Sequence, residues 1–216
     1  MGEFNIKFPI YCDFMVTFYY GTMASGKSMQ LLAKAHDFQE HSIPFLVIKS
    51  EIDDRDGENK VYSRALGSRE CVTISDTDNI FNLIVTFNEI NLVKIKWVLV
   101  DESQFLTPEQ VEQLCALSDI YDMNIICYGL KTDFKTHLFP GSKRLLELAD
   151  EIHEIKSICY CGKKTMVNAR INVNKEIVTE GSQIEIGGDD RYVALCRKCY
   201  FEKTHNKNYK FTVDDK

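Results

Sequence analysis

The sequence predicts an α/β domain with a mainly parallel central sheet, followed by a small β-rich appendage. Three observations predict it. Apolar runs rich in β-branched and aromatic residues alternate with amphipathic stretches from residue 16 to about residue 155. Those runs are apolar almost throughout, as parallel strands covered on both faces must be. After "EIHEIKS" the texture changes to short alternating segments and two cysteine pairs, with no long helical pattern.

Each element has its own signal. "VTFYY" (16–20) reads as the first strand, and "SMQLLAKAHDF", starting at Ser28, as an amphipathic helix. "PFLVIK" (44–49) and "CVTIS" (71–75) are the next strands. Residues 77–90 set Ile80, Phe81, Ile84, Val85 and Phe87 on one helical stripe. "KWVLV" (96–100) is a strand, and "TPEQVEQLCAL" opens with Thr107, Pro108 and Gln110, a capping box with proline at the first helical position. "NIICYGL" (124–130) is a strand, and a short helix over 142–149 follows Gly141 with Ser142 as its cap. In the appendage, 157–204, "NARINVN" and "SQIEI" alternate as strands do, near the turn "GGDD". Residues 1–15 show no clear pattern and read as a leader or dispensable segment; residues 205–216 read as a frayed polar tail.

The chain has 216 residues, 44% hydrophobic and 11% aromatic, enough for a packed core and against wholesale disorder. A formal net charge of -6 argues against a broad nucleic-acid surface, so an anionic partner needs a local cradle. No apolar run reaches membrane-spanning length, and no basic-then-apolar leader is present.

That cradle has a candidate. "GTMASGKS" (Gly21, Thr22, Met23, Ala24, Ser25, Gly26, Lys27, Ser28) fits G-x-x-x-x-G-K-[ST] between a strand and a helix. Small glycines let backbone N–H groups turn toward phosphate oxygens, and the following helix adds a favourable dipole. Lys27 then bridges the β- and γ-phosphates, and the Ser28 hydroxyl ligates Mg²⁺. "WVLVDES" is a strand ending in Asp101 and Glu102, at the end of a parallel sheet where ligands gather. Asp101 suits a magnesium ligand. Glu102 suits a group that takes a proton from a hydroxyl or polarises a water. The two motifs alone do not separate a kinase from an ATPase or a switch protein.

Eight cysteines divide into two groups. Cys12, Cys71, Cys115 and Cys127 are scattered and read as small buried hydrophobes. Cys159, Cys161, Cys196 and Cys199 form two tight pairs, and four sulfurs can close a tetrahedral Zn²⁺ site. In extended chain, the sulfurs of C-x-C point the same way and could face one ion. A redox pair, a disulfide or buried thiols are the alternatives, as is His153 or His205 replacing one sulfur.

Taken together, "YGTMASGKS", "VLVDESQF" and "EGSQIEIGGDDRYVALCRKCY" resemble the type II thymidine kinase family, the cytosolic and bacterial form, over residues 16 to 203. The resemblance implies a RecA-like P-loop domain (16–156) and a zinc-bearing domain with a lasso loop (157–204). It implies phosphoryl transfer from ATP to the thymidine 5′-hydroxyl, with deoxyuridine as a second acceptor. A cytoplasmic homotetramer inhibited by dTTP is the implied form. Glu102 matches the family's catalytic base, and Arg55, in "IDDRDG", an arginine that steadies the transferred phosphate. Asp53 lines up with an acid near the metal. Met23, Gln104, Phe105, Leu130, Phe134, Phe139 and Tyr192 match positions that line the nucleoside pocket, and the four paired cysteines match the zinc ligands. Asp56 departs from the tyrosine many relatives carry after the arginine. The rival readings are a kinase for another deoxynucleoside, and a P-loop ATPase or switch with a zinc interaction module.

Overall fold

In chain order the described elements are β1 (Val16–Gly21), α1 (Lys27–Glu40), β2 (Phe45–Ser50), β3 (Lys60–Ser63), β4 (Gly67–Glu70) and β5 (Val72–Ile74). They continue with α2 (Ile80–Ile90), β6 (Trp97–Asp101), α3 (Pro108–Tyr121), β7 (Asn124–Gly129), α4 (Pro140–Leu148) and β8 (Glu151–Ile155). The last are β9 (Val167–Ile171), β10 (Ile177–Val178), β11 (Tyr192–Leu195) and α5 (Arg197–His205). The structure is a computed structural model and describes residues 14–53, 59–183 and 191–205. Arg55, Cys12, most of the lasso and nearly all of both terminal segments singled out above lie outside these residues.

Six strands form one sheet in the order β5-β2-β6-β7-β1-β8, every neighbouring pair parallel. Period-two alternation explains its two covered faces. Val98, Val100, Ile125 and Cys127 point to one side and pack with Ile84 of α2, Leu114 of α3 and Leu145 of α4. Leu99, Ile126 and Tyr128 point to the other and pack with Leu31, Ala35 and Phe38 of α1. The near-continuous apolar strands therefore serve two cores at once, which is why they carried so strong a signal.

α3 begins as expected: the Thr107 hydroxyl accepts from Gln110 N, and the Gln110 side chain accepts from Thr107 N, both at 3.1 Å. α4 corrects the sequence reading. It starts at Pro140, with Phe139 as an N-cap that offers no side-chain bond. Ser142, read as the cap, lies inside the helix, buried, and its hydroxyl donates to the Leu130 carbonyl. Proline suits the first helical turn because its missing N–H has no partner there anyway.

The structure also holds elements that the pattern reading passed over. β8 is an edge strand whose "EIHEI" is largely exposed, and β3–β4 is a polar hairpin. β9, which overlaps the expected strand "NARINVN", pairs with the unread β10 and β11 in a second, antiparallel three-stranded sheet, and α5 follows it. The sequence shows no long helical pattern beyond residue 156, and α5, a helix of nine residues with little amphipathic pattern, was not read from it. Among the described residues, no helix is long and apolar enough to cross a membrane.

Candidate active site

The cradle lies between β1 and α1. Gly21 packs so closely that a Cβ there would meet Ser25 Oγ at 2.4 Å and the Ile155 carbonyl at 2.8 Å. Gly26, in the left-handed region (φ 89), caps α1 without a side-chain bond, which leaves the first N–H groups of a 14-residue helix for a ligand. Lys27 is buried, and its Nζ donates to the Thr22 carbonyl at 2.9 Å, folding the side chain back over the loop. Ser25 Oγ is buried and has no hydrogen-bond partner among the described residues, which fits a cradle shaped for something with acceptor oxygens.

Asp101 ends β6, buried, and its Oδ1 accepts from Ser28 Oγ at 3.5 Å. Burial pushes its carboxyl well above the usual range, the neighbouring Glu102 charge adds to this, and Lys27 opposes it. A hydroxyl and a carboxylate at this separation are an oxygen donor set of the kind Mg²⁺ takes, and a bound cation would favour the ionised acid. Glu102 is buried at φ 49 and ψ 39, a left-handed backbone that a non-glycine residue adopts at a cost. The Gln104 amide donates to the Glu102 carboxylate, and the Gln104 carbonyl accepts from Leu130 N at 2.8 Å. Gln104, only 1% exposed, thus ties the acid to the end of β7. Asp53 is buried too, and its carboxylate faces Lys49 Nζ at 3.2 Å, so its charge already has a partner of opposite sign.

The aromatic positions cluster around the segment 130–139. Phe134 and Phe139 are buried, and Phe105 meets Phe139 edge-on with centroids 5.8 Å apart. Arg170 of β9 stacks over the Phe134 ring at 3.6 Å, and Tyr192 pairs with Arg170 across β9 and β11. Asp133 holds this segment in shape: its Oδ1 accepts from Lys135 N (2.8 Å) and His137 N (2.9 Å), and its Oδ2 accepts from the Gln183 amide (3.0 Å). Arg170 and Asp133 carried no motif, and Gln183 stood within "EGSQIEIGGDDRYVALCRKCY" with no role assigned to it.

The four paired cysteines converge, with their sulfurs within 4.8 Å of one another. Cys161 and Cys196 sulfurs are 3.6 Å apart, close to the roughly 3.8 Å expected for two ligands of a tetrahedral ion with Zn–S of about 2.3 Å. Neither His153 nor His205 belongs to this cluster, and the described cysteines are free thiols. The expected route to convergence was wrong. Cys159 and Cys161 do not sit in extended chain but on a turn closed by Gly162 N donating to the Cys159 carbonyl (2.8 Å), with Gly162 at φ 82. Cys196 precedes α5, Cys199 lies in its first turn, and the Cys199 N–H donates to Cys196 Sγ at 3.4 Å. A backbone N–H from Lys163 lowers the Cys161 thiol below its usual range, whereas burial raises Cys199. Of the other cysteines, Cys127 is fully buried and Cys71 and Cys115 are half-buried.

Comparison with known proteins agrees with this architecture. The thymidine kinase family profile matches residues 14–200. A thymidine kinase of Haemophilus influenzae (strain 86-028NP) is 44% identical over 187 residues, covering 86% of this chain and 95% of the relative. Thymidine kinases of Rhodopirellula baltica and Legionella pneumophila (strain Paris) are each 40% identical, over 190 and 201 residues. They cover 88% and 91% of this chain, and 89% and 96% of the relatives. With a matching family profile over most of its length and relatives this similar, the chain belongs to the thymidine kinase family.

Proposed function

We propose that the chain transfers the γ-phosphoryl group of ATP to the 5′-hydroxyl of thymidine, giving dTMP and ADP, with deoxyuridine as a second acceptor. One observation carries the reading: Ser28 of the cradle meets Asp101, and the adjacent Glu102 is braced by Gln104 toward the aromatic segment 130–139. Family membership supports the acceptor. It also disfavours the ATPase or switch reading.

In this mechanism Gly21 to Ser28 hold the phosphates of ATP, and Lys27 neutralises charge on the transferring group. Ser28 and Asp101 would hold Mg²⁺, which supplies further charge neutralisation; Asp53 would act beside them through its Lys49 pair. Glu102 accepts the proton of the 5′-hydroxyl as that oxygen attacks the γ-phosphorus, and the bond to ADP breaks. Arg55 joins the charge stabilisation as the family resemblance implies. Met23, Phe105, Leu130, Phe134, Phe139 and Tyr192 form the slot for the thymine ring, and Gln104 holds the base in register. Positioning and electrostatics carry most of the rate, since this transfer asks little covalent chemistry of the protein.

Cys159, Cys161, Cys196 and Cys199 would hold a structural Zn²⁺. The division at residue 156 into a nucleotide-binding and a zinc-and-lasso domain belongs to the same reading. So do a homotetramer, dTTP as an end-product inhibitor and a cytoplasmic location. Phosphate transfer measured across thymidine, deoxyuridine, deoxycytidine and deoxyadenosine tests the reaction. Thymidine should give the highest kcat/KM, and ADP release that ignores the nucleoside would sink the reading.

A further inference from the structure

We propose that the cysteine-bearing module clamps the crown of the phosphate-binding loop, making Thr165 and Asn168 positioning residues for the phosphate donor. The inference rests on reading Gly21 to Ser28 as a phosphate site. It concerns residues 22 and 23, which the motif leaves unspecified.

Two hydrogen bonds cross from the module to the loop. The Thr165 and Thr22 hydroxyls lie 2.9 Å apart, 143 residues apart in sequence. The Asn168 side-chain oxygen accepts from Met23 N at 2.7 Å. Thr165 is 3% exposed and Asn168 4%; the hydroxyl pair is buried and the bond to Met23 N partly so. Asn168 also approaches the Thr132 carbonyl through its amide nitrogen at 3.5 Å, touching the aromatic segment.

The geometry behind these bonds makes them more than incidental. Asn168 lies on β9, the middle strand of its sheet, and the next residue, Ala169, belongs to the core that contains Cys159, Cys196 and Cys199. Alternation along the strand therefore puts the cysteine core on one face and the loop contact on the other. Met23 N–H is directed at Asn168 rather than into the cradle, and Ala24 follows in the left-handed region at φ 56. The crown thus takes its shape from two anchors outside its own motif. Phosphate-contacting N–H groups must be preset within fractions of an ångström, so loosening an anchor acts on donor binding first.

A double-mutant cycle on the hydroxyl pair tests this in the full-length protein. Thr165→Val keeps the shape and removes the hydroxyl, and Thr165→Ser keeps the hydroxyl. The expected result for Thr165→Val is a rise of about five- to fiftyfold in KM for ATP, from the buried hydroxyl left unsatisfied. KM for thymidine should stay within about twofold, bound metal should be unchanged, and Thr165→Ser should restore the parent value. Thr22→Val should match Thr165→Val, and the double variant should lose no more than either, because both remove one interaction. Should Thr165→Val fail to fold, Thr22→Val gives the same readout. An unchanged KM for ATP, an equal loss in Thr165→Ser, or additive losses in the double variant would overturn the clamp. Undiminished ATP binding in Lys27→Ala would instead overturn the phosphate-site reading beneath it.

Discussion

β1, β6 and β7 hold Gly21, Asp101 and Leu130 at the end of a sheet packed on both faces, with seventeen buried apolar side chains in the larger core. The C-terminal module has seven buried residues in its core, and three of them are Cys159, Cys196 and Cys199. Four aliphatic side chains make a thin core, so the Zn²⁺ proposed for the thiol cluster would take the role that a hydrophobic core takes elsewhere. The two regions therefore position residues by different means. Sheet and core hold the reacting groups; the small cysteine-bearing module meets the loop through two hydrogen bonds, Thr165 to Thr22 and Asn168 to Met23.

The largest expected effect separates the regions outright. Metal removal from the native protein should abolish hydrogen-exchange protection in β9, β11 and α5 while β1, β6 and β7 keep theirs, since structural zinc binding is worth about 10–16 kcal/mol. Unchanged protection in β9 would mean that the module stands on its own core, and the contrast would fail. Next is Glu102→Gln. It should lower kcat by about 10²–10⁴ with ATP binding and thermal midpoint kept, because the sheet and not the carboxylate holds the site together. Turnover near that of the parent would remove the base assignment. Smallest is Thr107→Ala, which strips the cap from α3. Urea unfolding should show a loss of about 1 kcal/mol in the sheet domain, with metal affinity in the module unmoved. A matching loss of metal affinity would show that the two regions unfold as one.

What was legible in the sequence follows the same divide. The strands of the large sheet announced themselves because both faces are buried, and the cradle because its glycines, lysine and serine are contiguous. β8 hid because an exposed edge strand needs no apolar run: Glu151, Ile152 and His153 all face solvent in part. α5 hid because its helix is shaped around Cys199 rather than an amphipathic stripe. The cysteines were recognised as a set, yet the stretch from Cys159 to Cys161, which lies on the turn closed at Gly162, was read as extended chain. The roles of Thr165, Asn168 and Gln183 were invisible for a deeper reason. Each is an ordinary polar residue whose meaning lies in a partner 30 or more positions away, and no local pattern records that. Gln104 was found through its motif, but its bridge between Glu102 and Leu130 was not.

The placing of β1 bears on how the chain is made. Its two neighbours in the sheet are β7 and β8, residues 124–155, so the strand that carries the cradle has nothing to pair with until those are synthesised. At about 5–20 residues per second, the 108 residues from Gly21 to Gly129 take roughly 5–20 s to emerge. Throughout that interval Val16 and Phe18, both buried in the finished fold, have no sheet to enter. Late pairing of an early strand makes folding slow and exposes an apolar segment to other chains. Nascent chains stalled before residue 124 should therefore depend on chaperones far more than chains released after residue 155.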